Sequence, residues 1–366
     1  MTSDSSLVGV VASREKLKFT RTINNGRASP AKRIFNDHLR GRNVDALLAL
    51  TNRDGTFPPM TPSAEADPPI PDGRERAPLV TFGIPAYNRP HLLAETLASI
   101  AAQTAEVDYE VVVCDDGPTE ENRRVVAQFP GARFFYHPNR PALGPVGNWN
   151  ECLRRAHGRW VMILHEDDTL YPWYLATVLP RLRADLAAVC TKTVQGATPP
   201  ALSAPTGGPA VWAYPPRYFL KSAMTPFPGV LVCRELALRL GGFDERAGPL
   251  ADYEFWYRLA SAGRVEVVRT VGAFYRVGAG QWTERAWGPM IRKTHLLRLR
   301  IAREQFPASP RLGRWLARFF TYRNALAYAR RFAERPAPLA RALRLGRIPL
   351  ARLPSGWVWA ALRLLA

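Results

Sequence analysis

A chain of 366 residues with 47% hydrophobic content can bury one sizeable core and still carry appendages. Its formal net charge of +19 is uneven, because residues 291–366 hold 17 Lys/Arg against only Glu304 and Glu334, a net +15. Four scattered cysteines with no Cys-x-x-Cys pair exclude a disulfide framework and a zinc site, and no run approaches the ~18 apolar residues of a bilayer span. The start Met1-Thr-Ser-Asp-Ser-Ser lacks the basic-then-apolar order of a secretory leader. Buried reduced thiols in a cytosolic protein are therefore expected of Cys114 and Cys190, which sit inside apolar runs.

In chain order, residues 1–78 read as an extension and linker, largely disordered. A basic segment near 31–52 has apolar Ile34, Phe35, Leu39, Val44, Leu47 and Leu48, compatible with a helix, and Phe57 to Pro78 contains seven prolines that favour an extended path. From Leu79 the pattern alternates. Strands are expected at 79–84, 109–114, 132–136, 160–164 and 186–191, with helices near 90–103, 119–128, 148–157 and after Pro172. In the first helix Leu93, Leu97 and Ile100 share one face. Such β–α alternation predicts a parallel sheet with right-handed crossovers. Residues 194–228 are rich in loop formers and aromatics and are expected to face an acceptor. A strand at Gly229–Cys233, a Gly241-Gly242-Phe243-Asp244 turn and a helix over Asp252–Ala262 complete the domain.

Three of the strands end in polar turns: Pro85-Ala86-Tyr87-Asn88, Asp115-Asp116-Gly117 and His165-Glu166-Asp167-Asp168. Ligands of open α/β sheets bind outside the carboxyl ends of the strands, so these turns describe one site. Three adjacent acids repel one another without a cation, and hard cations such as Mg²⁺ and Mn²⁺ favour carboxylate oxygens. A helix N-terminus that uses acids to complement its dipole is the competing account.

The stretches Val80–Pro90, Tyr109–Gly117 and Trp160–Asp168, with Gly248–Arg258 downstream, resemble the family 2 glycosyltransferases of GT-A fold over about residues 79–282. The resemblance implies an α/β GT-A domain over 79–290, a parallel or mixed nucleotide-binding sheet flanked by helices. It implies inverting transfer from a nucleoside-diphosphate sugar to a hydroxyl on a glycan or lipid-linked acceptor, in cell-surface polysaccharide or glycolipid assembly. Pro85, Ala86, Tyr87, Asn88, Asp115, Asp116, Asn148 and Glu166 would line the nucleotide. Asp167, with Asp168 close behind, would hold Mg²⁺ or Mn²⁺, and Asp252 would be the catalytic base. Tyr87 and Trp149 could equally be packing residues, and Asp252 a simple helix cap. Glu254 competes for the base, although its helical position turns it elsewhere.

The chain departs from the family at three points. Ala251 replaces a glutamate, and the first acidic position of the metal motif is filled by His165 in one register or Glu166 in the other. No histidine follows Ala273-Phe-Tyr-Arg276, where the run is Val277-Gly-Ala-Gly-Gln281-Trp282. These departures keep open a degenerate GT-A domain acting as a nucleotide-binding or scaffold protein.

Residues 291–366 read as a basic helical extension in which Trp315, Phe319, Phe320 and Leu326 lie among arginines, and Trp357 and Trp359 continue that character. Such interleaving suits an anionic membrane surface, giving a peripheral location at the inner face of the cell membrane. Helices that pack on the domain with their arginines in solvent are the alternative. Nucleic acid is not expected, since no nucleic-acid-binding motif accompanies the charge.

Overall fold

The computed structural model describes residues 77–331 apart from 130–132, 207, 209, 225 and 279–281. Nearly all of the expected N-terminal extension and everything beyond 331, Trp357 and Trp359 included, lie outside the described residues. Strand β1 (Val80–Ala86) leads to α1 (Pro90–Ala101), β2 (Tyr109–Asp115), α2 (Glu120–Ala127), β3 (Phe134–Pro138), α3 (Gly144–Arg155) and β4 (Trp160–Ile163). Then come β5 (Thr169–Leu170), α4 (Tyr174–Val178), β6 (Leu186–Gly196), β7 (Val211–Ala213), β8 (Val230–Cys233) and α5 (Arg234–Arg239). A 3-10 segment, Glu245–Leu250, precedes α6 (Ala251–Ala262), β9 (Arg264–Arg276), α7 (Trp282–Gln305) and α8 (Pro310–Arg331).

The strands form one sheet in the order β3-β2-β1-β4-β8-β6-β9-β5, with β7 also on β9. β3, β2, β1 and β4 are mutually parallel. The sheet is mixed, in keeping with the expected parallel or mixed sheet: beyond β4 the parallel run ends, β8 lying antiparallel to both β4 and β6, while β6 and β9 are parallel. The reason lies in the connection. The chain reaches β8 from β6 through residues 197–229, whose described part holds the short strand β7 and a 3-10 turn (Pro216–Leu220) in place of the helical crossover that a parallel neighbour requires. Strand β9 is a difference, since no strand was expected at 264–276. There Gly272 lets β6 approach closely, because a Cβ at that position would lie 2.6 Å from Thr191 Oγ1.

Central parallel strands are covered on both faces, and β1 and β2 are buried along almost their whole length. Val80, Phe82 and Ile84 join Leu93, Leu97 and Ile100 of α1 in one core. The opposite face packs on α3, where a Cβ on Gly83 would meet Cys152 Cβ at 2.8 Å, so only glycine admits this helix. α3 starts four residues before the expected 148, with Pro145 in its first turn. α4 is short because Pro180 lacks the N–H needed to continue it, and a 3-10 turn follows.

The described part of the basic extension belongs to this second core. Leu297, Ile301, Leu316, Ala317 and Phe320 are buried with Phe255, Trp256 and Leu259 of α6. Each large side chain so buried is worth roughly 1.5–3 kcal/mol before entropy. The boundary drawn between 290 and 291 falls inside α7. Arg311, Arg314, Arg318 and Arg323 point outward. No helix among the described residues is long and apolar enough to cross a membrane.

Candidate active site

The carboxyl ends of β1, β2 and β4 converge, and their turns interlock. Asn88 adopts φ 56°, a left-handed conformation that asparagine tolerates. It sits directly against the Asp115-Asp116-Gly117 turn: a Cβ on Gly117 would come 2.8 Å from Asn88 Oδ1 and 2.9 Å from Tyr87 Cδ2. The Tyr87 side chain is 59% exposed and Asn88 is exposed, whereas Ala86 is fully buried.

Asp115 and Asp116 face inward to the fold. Asp115 is buried and accepts hydrogen bonds from Gly117 N (3.1 Å), Asn122 Nδ2 (2.8 Å) and the Tyr136 hydroxyl (2.8 Å). Asp116 accepts from Asn139 Nδ2 (3.0 Å), Leu143 N (2.7 Å) and Gly144 N (2.8 Å), and so caps the start of α3. Asn148 donates to Cys114 O (3.0 Å) and accepts from Asn139 (2.9 Å), which pins α3 to the end of β2. Three of the residues expected at the nucleotide thus have protein partners that hold the site's walls. Trp149 packs on Phe227 and Phe243 with ring centroids 4.5 and 5.5 Å away, which makes it a core residue.

The acidic turn resolves into residues that point different ways. Glu166 is buried against the first loop, accepting from Tyr87 N (2.7 Å) and Arg89 Nε (2.7 Å). Burial raises its pKa, with the Arg89 charge and the Tyr87 N–H working against that rise. Asp167 is half-buried and takes Arg89 Nη1 at 2.6 Å. Asp168 is fully buried: Oδ1 accepts from Arg276 N (2.9 Å), but Oδ2 has no hydrogen-bond partner among the described residues. Burial, and then the Asp167 charge, push the Asp168 carboxyl well above the usual range. His165 Nδ1 lies 3.8 Å from Asp168 Oδ2, and burial lowers its pKa to about 4.

Leaving a buried carboxylate oxygen without a partner costs about 1–3 kcal/mol or more, so Asp168 Oδ2 is an acceptor with unused capacity in this turn. Donor atoms of His165, Asp167 and Asp168 all lie within 4.8 Å of one another, which fits a divalent cation. His165 joins the cluster, and Glu166 turns away to the loop.

Asp252 opens α6 after Gly248, which takes φ 59° in the 3-10 segment. Its carboxylate accepts from Tyr253 N (2.7 Å), and burial pushes its pKa up to about 6 despite that N–H. Glu254 does face elsewhere, paired with Arg258 (2.8 Å) and Arg300 (3.2 Å). Ala251, where the resemblance expects glutamate, is fully buried in the core. One helical turn beyond Asp252, Trp256 meets Phe227 at 5.6 Å, and Phe227 meets the His165 ring at 4.6 Å. A single aromatic cluster therefore supports both α6, which carries Asp252, and the acidic turn.

Three contributors escaped the motif reading. Arg89 lay within a quoted motif, but nothing showed that its guanidinium returns to the acidic turn. The Thr96 hydroxyl sits 2.8 Å from both the Glu166 and Asp168 carbonyls. Arg276, at the end of the unexpected β9, also reaches the Asp167 and Ala197 carbonyls, each at 2.9 Å. Gln281 and Gly280, considered as substitutes for a downstream histidine, lie outside the described residues.

Residues 81–239 match the family model described as "Glycosyl transferase family 2". Escherichia coli chondroitin synthase is 28% identical over 213 residues, 57% of this chain and 30% of that protein. The succinoglycan biosynthesis protein ExoO of Rhizobium meliloti is 33% identical over 114 residues, 31% of this chain and 32% of that protein. This chain thus spans about a third of either relative. A crystal structure of Staphylococcus aureus TarS 1–349 in complex with UDP-GlcNAc superposes with a TM-score of 0.54, 16% identity, and coverage of 72% of this chain and 79% of that one. That likeness is one of fold, and the fold is of GT-A type.

Proposed function

We propose that this chain, a glycosyltransferase with its family 2 domain over residues 81–239, moves a sugar from a nucleoside-diphosphate donor to a hydroxyl acceptor with inversion. The observation that carries the reading is the convergence, at the carboxyl ends of β1, β2 and β4, of the exposed Tyr87 and a cluster able to hold a cation, with Asp252 on α6, whose Trp256 shares Phe227 with the His165 ring. Tyr87 and Asn88 meet the base and ribose. Asp115, Asp116 and Asn148 hold the loops that shape that pocket. Asp167 and Asp168 hold a divalent cation, which when bound neutralises charge growing on the departing diphosphate.

Asp252 takes the proton from the acceptor hydroxyl as its oxygen attacks the anomeric carbon, while the bond from that carbon to the diphosphate oxygen breaks on the opposite face. A carboxyl with a pKa near 6 is ionised at neutral pH yet basic enough for this transfer. Polysaccharide or glycolipid assembly at a membrane face is the setting this reading favours. Its supports are the names of the two relatives and the outward arginines of α8.

The test is a thermal-shift series with UDP, GDP and ADP, with and without Mn²⁺, on wild type and Asp167→Ala. One nucleotide should raise the Tm by mass action, more so with Mn²⁺. The variant, substituted at a half-buried position, should fold normally, lose the metal-dependent increment and fail to transfer sugar. No stabilisation by any nucleotide would end this reading.

A further inference from the structure

We propose that His165 is a nitrogen ligand of the divalent cation and turns the site toward first-row transition ions such as Mn²⁺ over Mg²⁺. The inference rests on the metal reading above and deepens it. A histidine placed only for packing keeps at least one ring nitrogen hydrogen-bonded when buried. His165, half-buried with 23% of its side chain exposed, makes no ring-nitrogen hydrogen bond to the described residues. Nε2 is buried without a partner, and Nδ1, at 3.8 Å from Asp168 Oδ2, is beyond hydrogen-bond reach.

The facing atom is itself unpartnered: Asp168 Oδ2 is buried on a side chain with 0% exposure. Nδ1, on a ring whose Nε2 is unpartnered, thus stands 3.8 Å from an unpartnered carboxylate oxygen, a spacing that leaves room for an ion held by both side chains. Ligands each about 2.1 Å from one ion stand at most ~4.2 Å apart, so the gap is compatible with shared coordination. The ring cannot easily turn away. It lies 5.5 Å from Trp149 and 4.6 Å from Phe227, both seated in the core.

The position on the strand explains this placement. Val161 and Ile163 of β4 face the core that contains Trp149 and Phe227, and the period of two carries His165 to the same side. Glu166 falls on the other side and binds Tyr87 N and Arg89. An imidazole here changes the chemistry. Mg²⁺ is hard, prefers oxygen and sheds water reluctantly, whereas affinity of a mixed nitrogen–oxygen site rises along the first transition row.

The experiment is pulsed EPR of Mn²⁺ on the full chain, alone and with UDP or GDP, comparing natural-abundance with ¹⁵N-labelled protein, together with displacement of Mn²⁺ by Mg²⁺. Wild type should show a directly bound protein nitrogen and hold Mn²⁺ at least about tenfold tighter than Mg²⁺, a difference of ~1.4 kcal/mol. His165→Asp, which restores an all-carboxylate turn, should bind Mn²⁺ without nitrogen coupling and narrow that ratio. His165→Gln, with circular dichroism as the check on folding, should lose the coupling too. Bound Mn²⁺ with no nitrogen signal in wild type would overturn this inference and leave the metal reading standing. Absence of Mn²⁺ binding under every condition would overturn both.

Discussion

Asp252→Asn separates a catalytic base from a helix cap, because the two roles predict opposite stability changes. Burial raises the carboxyl of Asp252 from the ordinary 3.8 to about 6. A shift of about two units corresponds to ~3 kcal/mol at 1.36 kcal/mol per unit. The side chain keeps some contact with solvent, so a discounted figure of about 1–3 kcal/mol is the better expectation. The sign follows from linkage. Below about pH 4 both the folded and unfolded chains carry the proton and no penalty exists. Between there and pH 6 the unfolded chain loses its proton first, and stability falls as pH rises. Above pH 6 the buried charge is fully present and the loss is complete. Asparagine cannot ionise, yet its Oδ1 can still accept from Tyr253 N. The variant should therefore melt about 2–10 °C above wild type near pH 8, and the gap should close toward about pH 4.

Activity should move the other way. The acid limb of kcat/KM in wild type should fall tenfold per pH unit below about 6, and Asp252→Asn should lower turnover by roughly 10²-fold or more with donor affinity unchanged. The assays are scanning calorimetry across pH and release of the nucleoside diphosphate. A variant that melts lower than wild type by a pH-independent amount, with near-normal turnover, would show a cap instead.

Gly117→Ala should weaken nucleoside diphosphate binding by about tenfold or more in titration calorimetry while the Tm moves little, since its Cβ would displace Asn88 and Tyr87 at the surface and nothing in the core. Unchanged affinity would remove the first loop from the donor site. Replacing Arg311, Arg314, Arg318 and Arg323 together by Gln should reduce co-sedimentation with anionic liposomes at low salt and leave donor binding intact. Attraction of about 1 kcal/mol per basic residue is screened over ~8 Å at physiological salt, so wild-type binding should also drop as salt rises. Equal partitioning of both proteins would show that these arginines serve only as a solvated face.

The parts of the fold that declared themselves were those with local causes. β1, β2 and β4 are largely apolar runs that lead into polar or acidic turns, and α1 shows its buried face as Leu93, Leu97 and Ile100. The direction of β8 has no local cause, because it depends on how the chain returns through an irregular stretch. β9 is rich in valine, but its pairing with β6 slips register at Thr191 and Lys192, and its period is blurred accordingly. At the site, the acidic turn was legible as chemistry but not as geometry. Four successive polar residues look equivalent in a string, yet His165 and Asp168 face one another while Glu166 faces the loop. Counting by twos from Val161 would have placed His165 beside Trp149. Nothing short of coordinates shows that Asp115 and Asp116 are held by Asn122, Tyr136 and Asn139.

The basic extension changes meaning once its first helices are seen. α7 grips the segment that leads into α6: Lys293 Nζ donates to Arg246 O (2.8 Å) and Ala247 O (3.2 Å), a few residues before Asp252. Arg298, fully buried, donates to Lys221 O at 3.0 Å, and Arg300 reaches Glu254 at 3.2 Å. These are charge-assisted contacts to carbonyls and a buried carboxylate, so removing them would free the start of α6. α8 in turn covers α7, since Leu316 and Phe320 share a core with Leu297 and Ile301. A truncation near Pro307 would therefore expose that apolar face and loosen the helix bearing Asp252, confusing loss of membrane affinity with loss of the active site. Only substitutions at outward arginines can ask the membrane question cleanly. Among the described residues the extension therefore divides its charge: Lys293, Arg298 and Arg300 anchor the fold, while Arg311, Arg314, Arg318 and Arg323 are exposed to solvent.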